Sequence, residues 1–251
     1  TALAVMVTLT VLAWGITRLL RVPRVETSVT MRRGVIVALV VGALVGAARM
    51  AFIIGIPENV SQTNDATFHL NVLRYIADTG SASSFDLLGT TGASGFYPGA
   101  WHAVASLTMQ LTGADVAAAA NAVSLAIAGP LWTLSISAFV WAVTRDARAT
   151  TAGALLAPVL FAFPFHMLDF GVLYPYALSL AILPGTLAVL VASSDDVRRG
   201  ARFHAFVPTI LATLVGFAAL GFSQPSVLLV WVVGAVALVL TLLLASWRAL
   251  S

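Results

Sequence analysis

The chain has no cysteine and no lysine, and only 9% of its 251 residues are charged. Without cysteine there is no disulfide framework and no thiolate metal site. Soluble domains carry roughly 25% charged residues, so a chain that is 60% hydrophobic with a mean hydropathy of +0.99 does not stay in water alone. The apolar runs also lack the residue-by-residue alternation of an outer-membrane barrel. All thirteen basic residues are arginine, giving a formal charge of +3 and a pI near 10.0. They cluster in turns and share no face, which argues for membrane topology and against nucleic acid. No phosphate-cradling glycine loop ending in lysine is present, nor an HExxH helix or a serine-centred nucleophile elbow.

What remains is a set of apolar runs near the ~20 residues that cross a hydrocarbon core of about 30 Å. Residues 1–19 read as a first span. No basic stretch or cleavage site marks them as a signal peptide. Arg18, Arg21, Arg24, Arg32 and Arg33 follow and assign that turn to the cytoplasm. Residues 34–55 form a second span closed by Pro57, and 116–143 form a third with a kink expected at Pro130. Further spans are expected over 150–165, 176–193, 205–222 and 226–247, about seven in total. The segment FPFHMLDFGVLYP reads as an outer loop, and Asp195, Asp196, Arg198, Arg199 and Arg202 as a cytoplasmic turn. GFSQPS reads as a tight outer turn. The expected architecture is an all-α polytopic membrane protein. It forms one transmembrane helical domain over residues 1–251, read as a fragment of a longer chain in a multi-pass plasma-membrane setting.

One long polar stretch, residues 59–102, interrupts this pattern within an outer loop assigned to residues 56–115. It holds three of the ten acidic residues, Asp65, Asp78 and Asp86, and two of the four histidines, His69 and His102. At about 100° per residue, Asp65, His69, Val72 and Ile76 share one helical face with Phe68 beside them. Asn71, Arg74 and Asp78 fall opposite, so 65–78 is expected to lie as an amphipathic helix on the membrane surface. Residues 98–112 span only ~22 Å as a helix at about 1.5 Å per residue. If they crossed, Arg145 and Arg148 would lie outside, so 98–112 is expected to be a short helix at the outer surface.

Few side chains are candidates for chemistry. Asp65 is either the N-cap of the surface helix or a carboxylate at the water–lipid boundary that takes a proton from a hydroxyl. His69 lies one turn on. Arg49, about 22 Å along the second span at about 1.5 Å per residue, either snorkels to the outer headgroups or pairs with a phosphate, which guanidinium binds bidentately. In YPGAWH, Tyr97 and His102 are candidate substrate contacts and Trp101 reads as an ordinary interface residue. His166 and Asp169, three apart, are expected to share a face turned toward the first loop.

TNDATFHLNVLRYIADTG, then GFYPGAWHAVASL, then LTGADVAAAANAVSLAIAG together resemble the GT-C superfamily of membrane glycosyltransferases. The likeness is to actinobacterial integral membrane members, and it covers the first loop with its flanking spans. It implies a polyprenyl-phosphate sugar donor and a cell-envelope glycan or lipid acceptor on the outer face, among membrane lipids. Asp65 would be the base or the organising carboxylate, and Arg49 or Arg74 would reach the donor phosphate. Relatives often carry Asp-x-Asp, whereas Asn64 and Ala66 flank Asp65 here, so a divalent cation stays open. A lipid or glycan transporter and a non-catalytic membrane subunit are the alternatives.

Overall fold

The computed structural model describes residues 29–198 and 207–250, and every regular element among them is helical. Residues 1–19, with Arg18, Arg21 and Arg24, lie outside the described residues, as do Arg199 and Arg202. Helix α1 (Val29–Ile54) ends at Gly55, whose φ of 82° only glycine adopts readily. Helix α2 (Asn64–Thr79) and helix α3 (Ala100–Thr112) follow within the long loop. Next come α4 (Val116–Ala126), a π turn at Ile127–Leu131 containing Pro130, and α5 (Trp132–Thr144), stacked as one long rod. Helix α6 (Ala147–Leu156) breaks at the 3-10 turn Ala157–Val159 and coils again as a π-helical segment Phe161–Gly171, kinked at Phe163, whose backbone is extended (φ −134°, ψ 135°). Helices α7 (Tyr174–Arg198), α8 (Val207–Ser223) and α9 (Pro225–Leu250) complete the described chain.

Four of these segments are long and apolar enough to cross a bilayer: Arg32–Ile54, Val116–Thr144, Ala147–Gly171 and Tyr174–Ser194. Val207–Ser223 and Pro225–Thr241 are shorter apolar helices. Their outer faces carry exposed apolar side chains, among them Leu44, Phe52, Leu214 and Val233. That surface suits hydrocarbon, and the described helices have the length and composition of a membrane protein.

The outer-loop reading of FPFHMLDFGVLYP needs correction. Pro158 and Pro164 interrupt the helix, but the apolar run continues through them and the chain coils again over Phe161–Gly171. Asp195, Asp196 and Arg198, expected in a turn, are instead helical, because α7 runs on through them to Arg198. The surface helix is corrected in a different way. Ala66, Val72, Leu73 and Ile76 are at most 2% exposed, so α2 lays its apolar face on protein. Ala66 and Leu73 share one core with Met50 of α1, Trp101 of α3, Val123 of α4 and Phe165 of the π-helix.

Backbones meet closely where α1 crosses the bundle. A Cβ built on Gly42 would overlap the Ala154 carbonyl oxygen, and one on Gly46 the Ala128 carbonyl oxygen. Gly129, in the π turn, faces Ala43 and Ala47 in the same way. The spacing Gly42-x-x-x-Gly46 is the small-residue pattern that lets membrane helices touch through their backbones. The helix breaks are satisfied by neighbours, as an apolar surround requires. Trp132 Nε1 donates to the Ala157 carbonyl at 3.0 Å, and Arg49 donates to that of Pro158. Ser135 Oγ accepts from the Gly185 N–H at 2.7 Å, next to Pro184 inside α7.

Gly46→Val is expected to cost about 2–3 kcal/mol by overpacking this crossing. Gly34→Ala, with nothing within 4 Å of the added Cβ, should instead gain about 0.5–1 kcal/mol from helix propensity. Denaturant unfolding of both variants in one detergent measures the contrast, and equal effects would refute the crossing as the constraint.

Candidate functional site

The loop helices and the span ends at 54, 116, 171 and 174 meet at one end of the bundle. Thr63 caps α2, its Oγ1 accepting from the Ala66 N–H at 3.1 Å. The capping reading of Asp65 is therefore corrected. Asp65 lies in the first turn, where its charge complements the helix dipole. Its side chain is exposed and lines none of the cavities described below.

His69 points inward one turn later. Its Nδ1 lies 3.0 Å from Nε2 of His102, and the two rings are 4% and 0% exposed. Burial pushes His69 down from 6.5 to about 4, partly offset by the nearby Asp65 charge. Burial and then the His69 ring push His102 down to about 3, opposed by the Pro98 carbonyl. That carbonyl lies close to the His102 ring, yet Nδ1 meets no partner in hydrogen-bonding geometry. Both rings are neutral at pH 7, so one donates to the other, and neither is the strong base expected of a residue poised near 7. Tyr97 is half-buried against Phe68, and burial followed by the Asp65 charge holds its hydroxyl above 10.0.

Trp101 is not the interface residue its sequence position suggests. It is fully buried and stacks on Tyr174 at 4.4 Å with planes 8° apart, because α3 turns it toward the bundle and away from lipid. Tyr174 also meets the His69 ring at 5.4 Å. Tyr174 also lines a cavity of about 310 Å³. Met50, Ile53, Ile54 and Leu168 form the apolar part of that cavity. Asn59, Ser61, Gln62, Asn121, Ser124 and Asp169 supply polar groups. Asn121 pins the rim, with Nδ2 donating to the Pro57 and Asn59 carbonyls at 2.7 and 2.8 Å. Asn59 in turn donates to the Ile54 carbonyl at the end of α1 at 2.6 Å.

A second depression, about 540 Å³, lies on the other side of Ile53 and is lined by Val45, Ala48, Arg49, Phe52 and Phe161. Arg49 does not snorkel. Its guanidinium lies 3.9 Å over the Phe165 ring and donates to the Pro158 carbonyl, which the helix break leaves without an intrahelical donor. Arg74 stands apart on the exposed face of α2, paired with Asp78 at 3.2 Å. His166 stacks on Phe170 at 5.1 Å among exposed aromatic rings, whereas Asp169 reaches the polar cavity. The shared face expected for these two fails because a π-helix turns more widely than an α-helix, so residues three apart no longer stack.

The candidates therefore fall into separate groups. Asp65, His69, Tyr97 and His102 gather at α2 and α3; Asp169 lies in the cavity, Arg49 in the groove, His166 beside the groove against Phe161 at 5.4 Å, and Arg74 apart from both. Asn59, Asn121 and Tyr174 were missed, although a lone asparagine within VAAAANAVSLA is an audible polar signal in an apolar helix. Among the described residues no group of three or more His, Asp or Glu comes together as a metal donor set.

The folded chain keeps both histidines below 6.5 while the unfolded chain does not, so unfolding takes up protons between about 6.5 and each folded value. Stability is full above pH 6.5 and falls as pH drops toward about 4 and 3, by about 1.4 kcal/mol per pH unit for each ring. Replacing both (His69→Gln with His102→Gln) should remove that part of the slope in unfolding measured from pH 7 to 4. An unchanged slope would place the protons elsewhere.

No curated protein and no solved structure matches the chain. A family model does match, over residues 1–251. The protein belongs to that family, a family of unknown function (DUF6541).

Proposed function

We propose that the protein is a membrane glycosyltransferase of GT-C-like architecture. It would transfer a sugar from a polyprenyl-phosphate donor to a cell-envelope glycan or lipid on the outer side of the plasma membrane. The observation that supports it best is the pair of cavities at the end of α1. One is polar and the other apolar with a single guanidinium, and Ile53 lines both. A lipid-linked sugar has the same division between an oily tail with its phosphate and a hydroxylated head.

In this reading the tail lies along the groove, and the guanidinium N–H groups of Arg49 that Pro158 does not use face the lipid phosphate. The acceptor hydroxyl oxygen bonds to the anomeric carbon, and the bond from that carbon to the phosphate oxygen breaks. The lipid phosphate leaves with the electron pair, and the hydroxyl proton passes to a carboxylate. Asp65 was the first candidate for that carboxylate, but Asp169 lines the polar cavity and Asp65 does not. The base role goes to Asp169, and Asp65, outside the cavity, acts through its charge on His69 and Tyr97. The reading keeps the expected seven spans, of which residues 1–19 lie outside the described residues. Arg32 lines a groove with Trp141 and Ala147, so the basic turns at 32–33 and 145–148 share the end opposite the loop. The positive-inside rule then directs the loop outward.

A second reading, a lipid or glycan transporter, draws on the broken span Ala147–Gly171 with Arg49 at its break. Discontinuous helices beside an ionisable group are characteristic of transport sites.

Sugar transfer from a lipid-linked donor, assayed with the full chain in liposomes, tests both readings. Asp169→Asn should lower turnover by about 100-fold or more, the scale of lost general-base catalysis. Asp65→Asn should stay within about tenfold of wild type, a change of about 1.4 kcal/mol. The reverse ranking would return the base role to Asp65. Lipid flux without transfer would favour the transporter, and transfer undiminished in both variants would end the carboxylate mechanism.

A further inference from the structure

The polar cavity has a chemistry of its own. Its single charged wall residue is Asp169, and the arginine nearest in the chain to its walls, Arg49, lines the neighbouring groove instead. The other polar groups are amides and hydroxyls, from Asn59, Ser61, Gln62, Asn121, Ser124 and Tyr174. As a set they offer both donors and acceptors, which complements a ligand whose own groups do both. The rim is pre-set, because both donor bonds of the Asn121 amide are spent on Pro57 and Asn59, leaving its Oδ1 available to accept. The volume of about 310 Å³ lies at the small end of ligand pockets, which run from about 300 to 1,000 Å³.

We infer that this cavity binds one uncharged sugar ring, or a polyol of that size, and rejects anionic sugars such as uronates and sugar phosphates, with Asp169 as the source of the discrimination. A phosphate would meet a carboxylate and no cation. A purely apolar ligand would strip water from the amides without replacing its hydrogen bonds. An alternating set of hydroxyls satisfies the amides and gives Asp169 a donor to accept from. The inference deepens the glycosyltransferase reading and rests on it for the identity of the sugar as substrate, but the binding itself is measurable without any transfer.

The test is saturation-transfer NMR on the full chain in lipid nanodiscs at neutral pH. The probes are methyl β-D-glucopyranoside and methyl α-D-mannopyranoside against D-glucuronate and D-glucosamine. Neutral glycosides should bind, and glucuronate should bind about tenfold or more weakly, a like-charge penalty of about 1.4 kcal/mol. Asp169→Asn should bring glucuronate to within about threefold of the glycosides, well under that penalty. Ser61→Trp, filling the rim, should abolish binding of the neutral probes with the unfolding midpoint unchanged. The inference is overturned if the neutral glycosides fail to bind, if only glucosamine binds, if the Asp169→Asn chain keeps the discrimination, or if Ser61→Trp leaves binding intact. Binding that persists in a chain without transfer activity overturns the catalytic reading alone. Transfer without glycoside binding in the cavity overturns this inference alone.

Discussion

Close backbone contact between α1 and its neighbours is the constraint on which the rest of this structure depends. Gly42 and Gly46 leave no room for a Cβ against the carbonyls of Ala154 and Ala128, and Gly129 faces α1 in return. In hydrocarbon there is no hydrophobic gain from pressing one apolar helix on another, so packing contact has to supply the association. Once α1 is held there, the next turns of the same face are aimed as well. Arg49 arrives at the Pro158 carbonyl, Met50 enters the core, and Ile53 becomes the partition between two cavities.

A second constraint acts along the broken helices. Backbone polar groups freed at a break cannot turn to water inside a bilayer. Arg49 and Trp132 serve the break after α6, and Ser135 serves the region of Pro184. This explains why the Arg49 guanidinium and the Ser135 hydroxyl persist in an apolar bundle. It also limits what they can do for a ligand. Arg49 has part of its guanidinium committed to protein, and Asn121 has both its amide donors committed to the rim.

The loop end combines two environments within a few side chains. One is the dry nest of His69, His102 and Trp101, where burial keeps both imidazoles neutral. The other is the wet cavity with Asp169. Tyr174 touches both, lining the cavity and stacking on Trp101 of the nest. Asp65 couples to the nest through its charge and stays in solvent.

Much of the scaffold was legible from residue order alone. Apolar run length marked the spans at Arg32–Ile54, Val116–Thr144 and Tyr174–Ser194, and helical periodicity marked α2 to within one residue at either end. Charge parity kept 98–112 as a short helix, which α3 matches. These are local properties: a turn of helix depends on neighbours three and four residues away, and hydropathy depends on none. What covers the apolar face of α2, whether Trp101 meets lipid or Tyr174, and which carboxylate reaches a cavity depend on segments far apart in the chain. Asp65 and Asp169 look alike as letters and both side chains are exposed, but only Asp169 lines the cavity that residues 59–62 also line. Composition thus determined that this chain forms apolar helices with one polar end, while tertiary contact decided which polar side chains face a shared space, because burial is a property of surroundings that no single residue carries.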